Sequence, residues 1–446
     1  MQAAQITYKE CGIAWLGQIP QHWEAVRLKY VAKQIIGGGT PDTSNPLYWS
    51  DADDNAYLWV SIEDITKSSF IKNTKRYITE KGIQSSSTKL IPPFSILYSI
   101  YASLGKIAYS DRYLTTNQAI LAIQVRDALF YKFLFYSLCA TTDNIISSSS
   151  MTTQNNISLS TVQNLKIPLP PLEEQKAIAR FLDEKCAQID SLIKKKQKLI
   201  TLLIEQKQVL ISEVVTKGLD PKAPLKDSTI PWLGEIPQHW EVKRLRYIGN
   251  IFGGLTGKTA KDFDKESQPN FEPYIPFTNV CKNTVIDSNK MEYVFIDSLE
   301  CQSKVTKGDI IFLQSSETFE DVGKSAIYLD DQDVYLNTFC KGFRATTENP
   351  IFLNYLISSL NYKRYFLSVC SGFTRINLRQ EHFLDMPLTL PPLEEQKAIA
   401  RFLDKRVGEM EAIITKTKEQ IKLFKEYKNT LITEATCGRM EIKERK

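Results

Sequence analysis

The sequence predicts an α+β protein made of two copies of one unit. In each copy we expect a mixed α/β domain followed by a long helix, and the two long helices should form an antiparallel coiled coil with pseudo-twofold symmetry. The stretch LPPLEEQKAIARFLD occurs unchanged at Leu169–Asp183 and at Leu390–Asp404. A second stretch, WLGQIPQHWE at Trp15–Glu24, returns with one change at Trp232–Glu241. These repeats, with a heptad pattern after each, carry the prediction.

The repeats divide the chain into four segments. We predict a first domain at 1–168, a first long helix at 169–220, a second domain at 221–389 and a second long helix at 390–446. The residues between the shared stretches differ almost throughout. A frame that stays constant while its contents differ indicates a molecule that recognises two different targets with one geometry.

Short apolar runs separated by polar loops predict strands within both domains. The clearest runs are Tyr57–Ile62, Ser95–Ile100, Asp309–Leu313 and Ala326–Leu329. Short helices are expected at Leu129–Cys139 and at Phe352–Leu360. Each domain should therefore mix strands and helices.

A long helix should follow each domain. The proline pairs at 170–171 and 391–392 suit a helix start, where a missing N–H costs little, and acidic residues follow in the first turn. An apolar heptad seam runs through both copies: Leu182, Cys186, Ile189, Ile193, Lys196, Ile200, Leu203, Lys207, Leu210 and Val214, and then Leu403, Val407, Met410, Ile414, Thr417, Ile421, Phe424, Lys428, Leu431 and Ala435. A helix of roughly 68 Å with one apolar stripe needs a partner, and the other copy can supply it.

The length of the connection favours antiparallel pairing. About 15 residues join the end of the first helix, near Lys217, to Trp232, and they span roughly 50 Å when fully extended. Parallel helices would require the chain to return roughly 68 Å. Antiparallel helices place the end of the first helix directly beside the second unit.

Composition limits the function classes. The chain has 446 residues, 43% hydrophobic and 11% aromatic, and a net charge of +5, which permits nucleic-acid binding without requiring it. Residues 25–168 hold 14 basic and 10 acidic side chains, whereas residues 242–388 hold 17 and 18. No apolar run is long enough to span a membrane, and no signal peptide is evident at the N-terminus. The eight cysteines show no metal-binding spacing, so we expect reduced thiols in a cytoplasmic protein.

No catalytic set is evident. His22 and His239 occupy the same position of the repeated IPQHW stretch, which favours a structural role, and His382 is isolated. Gly253–Thr259 resembles a phosphate loop with one residue too few between its glycines. Asn45-Pro46 and Asn349-Pro350 lack the second proline of the adenine methyltransferase motif. We therefore predict a protein that is not an enzyme and holds no cofactor or metal. The alternatives are a fused methyltransferase or nuclease, and a coiled-coil adaptor that binds proteins alone.

The ordered set of repeats resembles the specificity (S) subunit of type I restriction-modification systems over nearly the whole chain. The variable domains are similar to target recognition domains of two classes, one carrying Gly37–Pro41 and Trp59–Ile65 and the other Gly253–Thr256 and Tyr274–Asn279. The resemblance implies a non-catalytic subunit that binds double-stranded DNA, each recognition domain reading half of a split, asymmetric target. It also implies two methyltransferase (M) subunits as partners, with restriction (R) subunits bound through them.

Landmarks shared by the two domains suggest where DNA contacts fall. Polar loop residues can pair with base edges, and lysines with phosphates. In the first domain the candidates are Thr40, Tyr98, Tyr101, Ser103, Lys106, Asn117, Gln154 and Asn155. In the second they are Thr256, Lys258, Gln314, Ser315, Ser316, Lys324, Asn337, Thr374, Arg375 and Asn377. The alternative is that the Asn and Gly residues only shape turns.

Identity of the helix starts beyond the seam suggests subunit docking. Charged positions repeat without change, and two identical surfaces imply two copies of one partner. The candidate interface residues are Glu173, Glu174, Lys176, Arg180, Glu394, Glu395, Lys397 and Arg401. The lysine run at 194–196 is interpreted as a solvated helix face.

Overall fold

The structure is a computed structural model that describes residues 7–13, 16–51, 56–101, 103–149, 156–297, 299–372 and 375–442. The chain forms two compact units. Unit 1 combines Met1–Gln197 with Glu419–Lys446, and unit 2 is Lys198–Lys418. Each unit thus contains one variable domain and a part of both long helices.

Unit 1 begins with short strands that hold the repeated stretch and continues into the variable domain. Its strands are β1 (Tyr8–Glu10), β2 (Gln18–Pro20), β3 (Glu24–Arg27), β4 (Ala32–Gly37), β5 (Trp49–Ser50), β6 (Tyr57–Val60), β7 (Arg76–Ile78), β8 (Ile96–Ser99), β9 (Ile107–Tyr109), β10 (Leu114–Thr116), β11 (Ile120–Val125) and β12 (Lys166–Leu169). Its helices before the long helix are α1 (Leu28–Val31), α2 (Ile62–Lys67), α3 (Glu80–Gln84), α4 (Tyr131–Ser149) and α5 (Leu159–Asn164).

Two four-stranded sheets form the variable domain of unit 1. The first is antiparallel in the order β4-β11-β8-β9, and the second has the order β10-β6-β7-β5, in which β10 is parallel to β6. Apolar side chains from both sheets, including Leu58, Leu97 and Ile120, are packed into one core. All four residues of β8 are buried, which explains why large apolar side chains stand at the consecutive positions 96–98 instead of alternating.

Unit 2 contains the second variable domain. After the long helix α6 (Leu172–Lys217), its strands are β13 (Leu225–Asp227), β14 (Glu235–Pro237), β15 (Glu241–Arg244), β16 (Gly249–Gly253), β17 (Phe263–Asp264), β18 (Phe271–Ile275), β19 (Glu292–Phe295), β20 (Ile310–Leu313), β21 (Ser315–Ser316), β22 (Ser325–Ile327), β23 (Tyr335–Leu336), β24 (Cys340–Ala345), β25 (Ile376–Asn377) and β26 (Pro387–Leu390). Its helices are α7 (Phe277–Lys282), α8 (Pro350–Ile357), α9 (Leu360–Val369), α10 (Gln380–Leu384) and the second long helix α11 (Leu393–Thr436).

The variable domain of unit 2 repeats the topology of unit 1. Its sheets have the orders β16-β24-β20-β22 and β17-β19-β18-β23, with β18 parallel to β23. Strand for strand, these orders match those of unit 1, and β15 pairs with β26 as β3 pairs with β12. Two sequences that differ almost throughout therefore form the same framework, because the alternation of short apolar runs and turns is kept.

The two long helices are confirmed as single elements, α6 and α11. Their predicted seam residues are buried or half-buried. Within unit 1, Lys428 Nζ of α11 lies 2.7 Å from both carboxylate oxygens of Asp190 in α6, and Lys196 Nζ is 2.8 Å from Gln420 Oε1. Within unit 2, Lys207 Nζ lies 3.0 Å from Glu411 Oε1. Both units thus contain polar contacts between α6 and α11 beside the apolar seam.

Candidate nucleic-acid interface

A glycine-containing loop follows the first strand of the variable domain in both units. A Cβ added at Gly38 would lie 2.1 Å from the carbonyl oxygen of Asn117, and one added at Gly254 would lie 2.0 Å from that of Asn337. Only glycine permits this approach, so the two loops pack closely on equivalent turns. The loops end at two exposed threonines, Thr40 and Thr256.

A side-chain amide shapes each of these turns. Asn117 Oδ1 accepts a hydrogen bond from the backbone N–H of Ala119 at 3.2 Å, and Asn337 Oδ1 accepts one from Phe339 N–H at 2.9 Å. The two asparagines are therefore equivalent in the structure, as their positions in the sequence predicted. The side-chain oxygen of each asparagine accepts a hydrogen bond within its turn, and both residues are half-buried at the surface.

Each loop threonine lies beside a glutamine. Thr40 Oγ1 is 2.5 Å from Gln118 Oε1, and the backbone N–H of Thr256 donates to Gln302 Oε1 at 3.2 Å. These threonine–glutamine pairs present hydroxyl and amide groups side by side. Such groups can donate to and accept from base edges.

The two Gly-Lys turns are also equivalent. Gly105 and Gly323 have φ of +71° and +76°, and each donates its N–H to the residue at the end of β8 or β20. Lys106 is exposed. Lys324, in contrast, bonds Asp321 at 2.6 Å and the carbonyl of Cys281 at 3.2 Å. The Lys324 ammonium lowers the pKa of the Asp321 carboxyl below its ordinary value.

In unit 2 the structure brings several predicted residues together. The N–H of Gln314 donates to the carbonyl of Phe339, and β21 pairs with β25 so that Ser315 faces Asn377. The guanidinium carbon of Arg375 lies 4.5 Å from the centre of the Phe339 ring. Gln314, Asn337, Arg375 and Asn377 therefore share one surface. Unit 1 has the equivalent backbone hydrogen bond, which Ile100 N–H donates to the carbonyl of Ala119. Tyr101 and Asn117 lie beside this bond in the sequence.

Four predicted contact residues have side chains that are buried in the structure. Tyr98 is fully buried in β8, and burial raises the pKa of its hydroxyl. Ser315 and Ser316 are buried because β21 is covered by β25. Lys258 is only 4% exposed, with its Nζ 2.6 Å from Glu300 Oε1. We therefore assign these four residues to the framework of the domains and not to the DNA contacts. Lys258 is also not part of a phosphate loop, because a single 3₁₀ turn at Ala260–Asp262 follows it.

The remaining predicted residues have different outcomes. Ser103 is half-buried, and its carbonyl accepts a hydrogen bond from Ser99. Gln154, Asn155 and Thr374 lie outside the described residues. Phe339 was missed by the sequence analysis, although an exposed aromatic two residues after the shared asparagine, where unit 1 has Ala119, could have indicated it.

Aromatic side chains were also missed around the glycine loop of unit 1. Trp49 and Trp59 pack edge to face at 5.0 Å, and the Trp59 indole N–H donates to the carbonyl of Gly39 at 3.2 Å. Arg76 lies over Trp49 at 5.4 Å. The tryptophans near the loop in the sequence were the available signal. The hydrogen bond from Trp59 to Gly39 holds the backbone of the loop in place.

The identical helix starts hold each unit together. Glu174 accepts from the Trp23 indole at 2.9 Å and lies 2.9 Å from His22 Nε2, while Glu395 makes the same contacts with Trp240 and His239 at 3.2 and 2.7 Å. Both histidines thus have the structural role that their sequence position favoured. Identity at Glu174 and Glu395 is accounted for within each unit, so it does not by itself indicate a partner.

Two further positions of the identical stretch reach the variable domain. Buried Gln175 accepts from the N–H of Phe130 at 2.7 Å and donates to the carbonyls of Ala128 and Pro170 at 3.0 and 2.8 Å. Asp183 accepts from the Tyr136 hydroxyl at 2.8 Å, as Asp404 accepts from Tyr355 at 2.9 Å. The stretch is therefore a mount for the domain that precedes it.

The other predicted interface residues face solvent or are half-buried. Glu173 pairs with Lys176 at 2.8 Å and Glu394 with Lys397 at 2.7 Å, each within one helix turn. Arg180 and Arg401 are exposed. Within the described part of the chain, the polar contacts of these six residues stay within their own helix, so their charged groups are available to a partner.

The described residues offer neither a metal-ligand cluster nor a membrane-spanning helix. In this part of the chain no group of three or more His, Cys, Asp or Glu side chains could hold a metal ion. None of its helices is both long and apolar enough to cross a bilayer.

Each unit is thus a domain of the class that presents variable loops from a constant mount. The family described as "Type I restriction modification DNA specificity domain" matches residues 20–202 and again 237–423. The chain belongs to this family. It is a DNA-specificity protein, a targeting subunit of type I restriction-modification and not a catalytic one.

Relatives and solved structures are similar to this protein over nearly the whole chain. The specificity subunit of the type I restriction enzyme MjaVIII of Methanocaldococcus jannaschii is 27% identical, with 96% of this chain and 95% of that protein aligned. A chain from a structure on complex assembly and conformational transition of the type I R-M system has a TM-score of 0.73 at 18% identity, covering 95% of this chain and 99% of the other. The HsdS subunit of Thermoanaerobacter tengcongensis has a TM-score of 0.52 at 16% identity, with coverages of 95% and 98%. At these identities the two structures support the fold.

Proposed function

We propose that each unit reads one half of a bipartite, asymmetric site in double-stranded DNA. The observation that carries this proposal is that two equivalent sheet frameworks present equivalent loops with different side chains. After the equivalent asparagine, unit 1 has Ala119 where unit 2 has the exposed ring of Phe339. One docking geometry with two sets of side chains selects two different half-sites.

The chemistry of the loops supports direct reading of bases. Hydroxyl and amide groups can pair with base edges in the major groove, and the Arg375 guanidinium can pair with guanine in a bidentate manner. Exposed lysines such as Lys106 can bind phosphates. The proposed contacts are Thr40, Tyr101, Ser103, Lys106, Asn117, Gln154 and Asn155 in unit 1, and Thr256, Gln314, Lys324, Asn337, Thr374, Arg375 and Asn377 in unit 2.

The long helices set the spacing between the half-sites in this proposal. We infer one antiparallel coiled coil with a pseudo-twofold axis, and retain 1–168, 169–220, 221–389 and 390–446 as functional segments. Support comes from two contacts within unit 1. Asp190 of α6 contacts Lys428 of α11, and Lys196, further along α6, contacts Gln420, which is earlier in α11. The residue numbers rise in one helix while they fall in the other, as antiparallel helices require. The seam residues are buried or half-buried on both helices. Inserting a heptad into each helix should lengthen the DNA spacer and leave both half-sites unchanged, since the coil is stiff.

Two methyltransferase subunits are the proposed protein partners, with restriction subunits bound through them. The six solvent-facing residues of the identical helix starts occur once per unit, so one kind of partner can bind twice. Native mass spectrometry of the co-expressed complex should show two methyltransferase chains for each copy of this chain. A stable limit of one would contradict the proposal. We also propose that the complex acts in the cytoplasm, because its proposed target is DNA.

Methylome sequencing of cells that carry the complete system tests the whole proposal. We expect a methylated motif with two unlike halves separated by an unspecified spacer. A twofold reader on one face of the duplex favours half-site centres about one helical turn, roughly 10 bp, apart. A continuous palindromic motif would refute the model.

A further inference from the structure

The repeat shared by the units extends beyond the glutamate that closes the IPQHW stretch. Residues Arg27-Leu-Lys-Tyr30 correspond to Arg244-Leu-Arg-Tyr247. Leu28 and Leu245 are fully buried, which explains their identity. The two tyrosines, in contrast, are 64% and 72% exposed, and they are the two most exposed aromatic side chains among the residues that the structure describes.

Core packing does not explain why both units have an exposed tyrosine at this equivalent position. Arg27, Lys29 and Tyr30 form one arginine–tyrosine patch, and Arg244, Arg246 and Tyr247 form the other. Both patches are basic. In unit 1 the Lys29 ammonium lies 5.3 Å from the centre of the Tyr30 ring, while in unit 2 both arginines bond Asp385, at 3.0 and 2.5 Å. The charge of the patches therefore differs, whereas the exposed ring is constant.

Each patch lies beside the strand pair that leads into the long helix of its repeat. Arg27 is opposite Lys166 in the β3–β12 pair, which leads directly into α6, and Arg244 is opposite Pro387 in the β15–β26 pair, which leads into α11. The strand that leaves the first patch, β4, extends over six residues, or about 20 Å, before it reaches the glycine loop. The patches are thus remote from the loops that carry the proposed base contacts.

We propose that the two arginine–tyrosine patches are hot spots that anchor one and the same partner protein to each unit through an acidic surface with a pocket for the tyrosine ring. Tyrosine and arginine dominate binding hot spots because they bury a large rigid area and donate hydrogen bonds. A basic patch selects an acidic partner by charge complementarity. A phosphate would recognise the positive charge alone, and that charge differs between the two patches. The exposed ring is the same in both patches, and a protein pocket can recognise it.

The inference rests on the proposed function, in which that partner is the methyltransferase subunit, and it assigns anchor residues outside the identical helix starts. Its test uses the full chain co-expressed with the methyltransferase subunit of the same system. Tyr30→Ala and Tyr247→Ala are made singly and together, with Tyr113→Ala, 53% exposed, as the matched control. The rings are exposed, so thermal unfolding of all four variants should match that of the wild type.

Native mass spectrometry and titration give the decisive readouts. Each single variant should retain one methyltransferase chain, the double variant none, and the affinity of the altered unit should fall at least about thirty-fold. Wild type and Tyr113→Ala should bind two chains. If the Tyr30 and Tyr247 variants also bind two, the inference is overturned while the proposed function stands. If they bind two chains but bind DNA more weakly than the wild type and Tyr113→Ala do, the rings contact DNA and the inference is likewise overturned. Fewer than two chains on the wild type contradicts both proposals.

Discussion

Replacing Gln175 by alanine should destabilise unit 1 far more than any neighbouring surface change. Gln175 is fully buried and makes three hydrogen bonds, at 2.7, 3.0 and 2.8 Å, to the backbone before α4 and before α6. The alanine variant leaves the N–H of Phe130 and two carbonyls without these partners. Each unsatisfied buried group costs about 1–3 kcal/mol, and entry of water offsets part of this, so we expect a loss of about 3 kcal/mol.

The loss is measurable as a shift in thermal unfolding. For a unit of about 220 residues, 1 kcal/mol corresponds to about 2–4 °C, so Tm should fall by about 6–12 °C in calorimetry. Hydrogen exchange should locate the change, with faster exchange in peptides that cover the start of α4. The matched control is Lys176→Ala, which removes only an exposed ion pair with Glu173 and should shift Tm by less than about 2 °C. Equal shifts for the two variants would refute the reasoning.

Three other perturbations have defined outcomes. Gly38→Ala or Gly254→Ala should weaken binding of the target DNA at least about tenfold in an anisotropy titration, because the new Cβ would lie 2.1 or 2.0 Å from a carbonyl oxygen and displace the loop. The control Gly408→Ala, which has open space around it, should have no effect in the same titration. Iodoacetamide at pH 8 should label exposed Cys301 well before Cys186 and Cys437, since burial raises the pKa of these two thiols to about 11 and leaves about one in a thousand as thiolate; equal labelling rates would contradict their burial. The rigorously purified chain, incubated with S-adenosylmethionine and DNA, should transfer no methyl group, and robust transfer would disprove its assignment as a targeting subunit.

Local pattern predicted the framework well. The heptad seam and the proline pairs located the starts of α6 and α11 to within three residues, whereas α11 ends at Thr436, ten residues before the predicted end, and the apolar runs located β6, β8 and β20. The order of strands in the sheets could not be predicted in this way. Pairings such as parallel β10 with β6 join segments more than 50 residues apart, and periodicity within a segment does not specify its neighbour.

The candidate site was predicted less completely, because burial depends on what packs against a residue. Tyr98 lies in a strand that is buried on both faces, so a residue type suited to base contact became a core residue. Glu174 looked like a surface charge until His22 and Trp23, about 150 residues away, proved to be its partners. The asparagine turns and glycine loops were found because their geometry is encoded within a few residues.

Exchange of a single recognition domain tests the central claim most directly. Residues 25–168 are replaced by the corresponding domain of another family member, the residues from 169 onward are kept, and the methylome of cells with the complete system is sequenced. If each unit reads its own half-site, one half of the methylated motif should change while the other half and the spacer length stay the same. A change in both halves, or a motif that remains unaltered, would contradict the account.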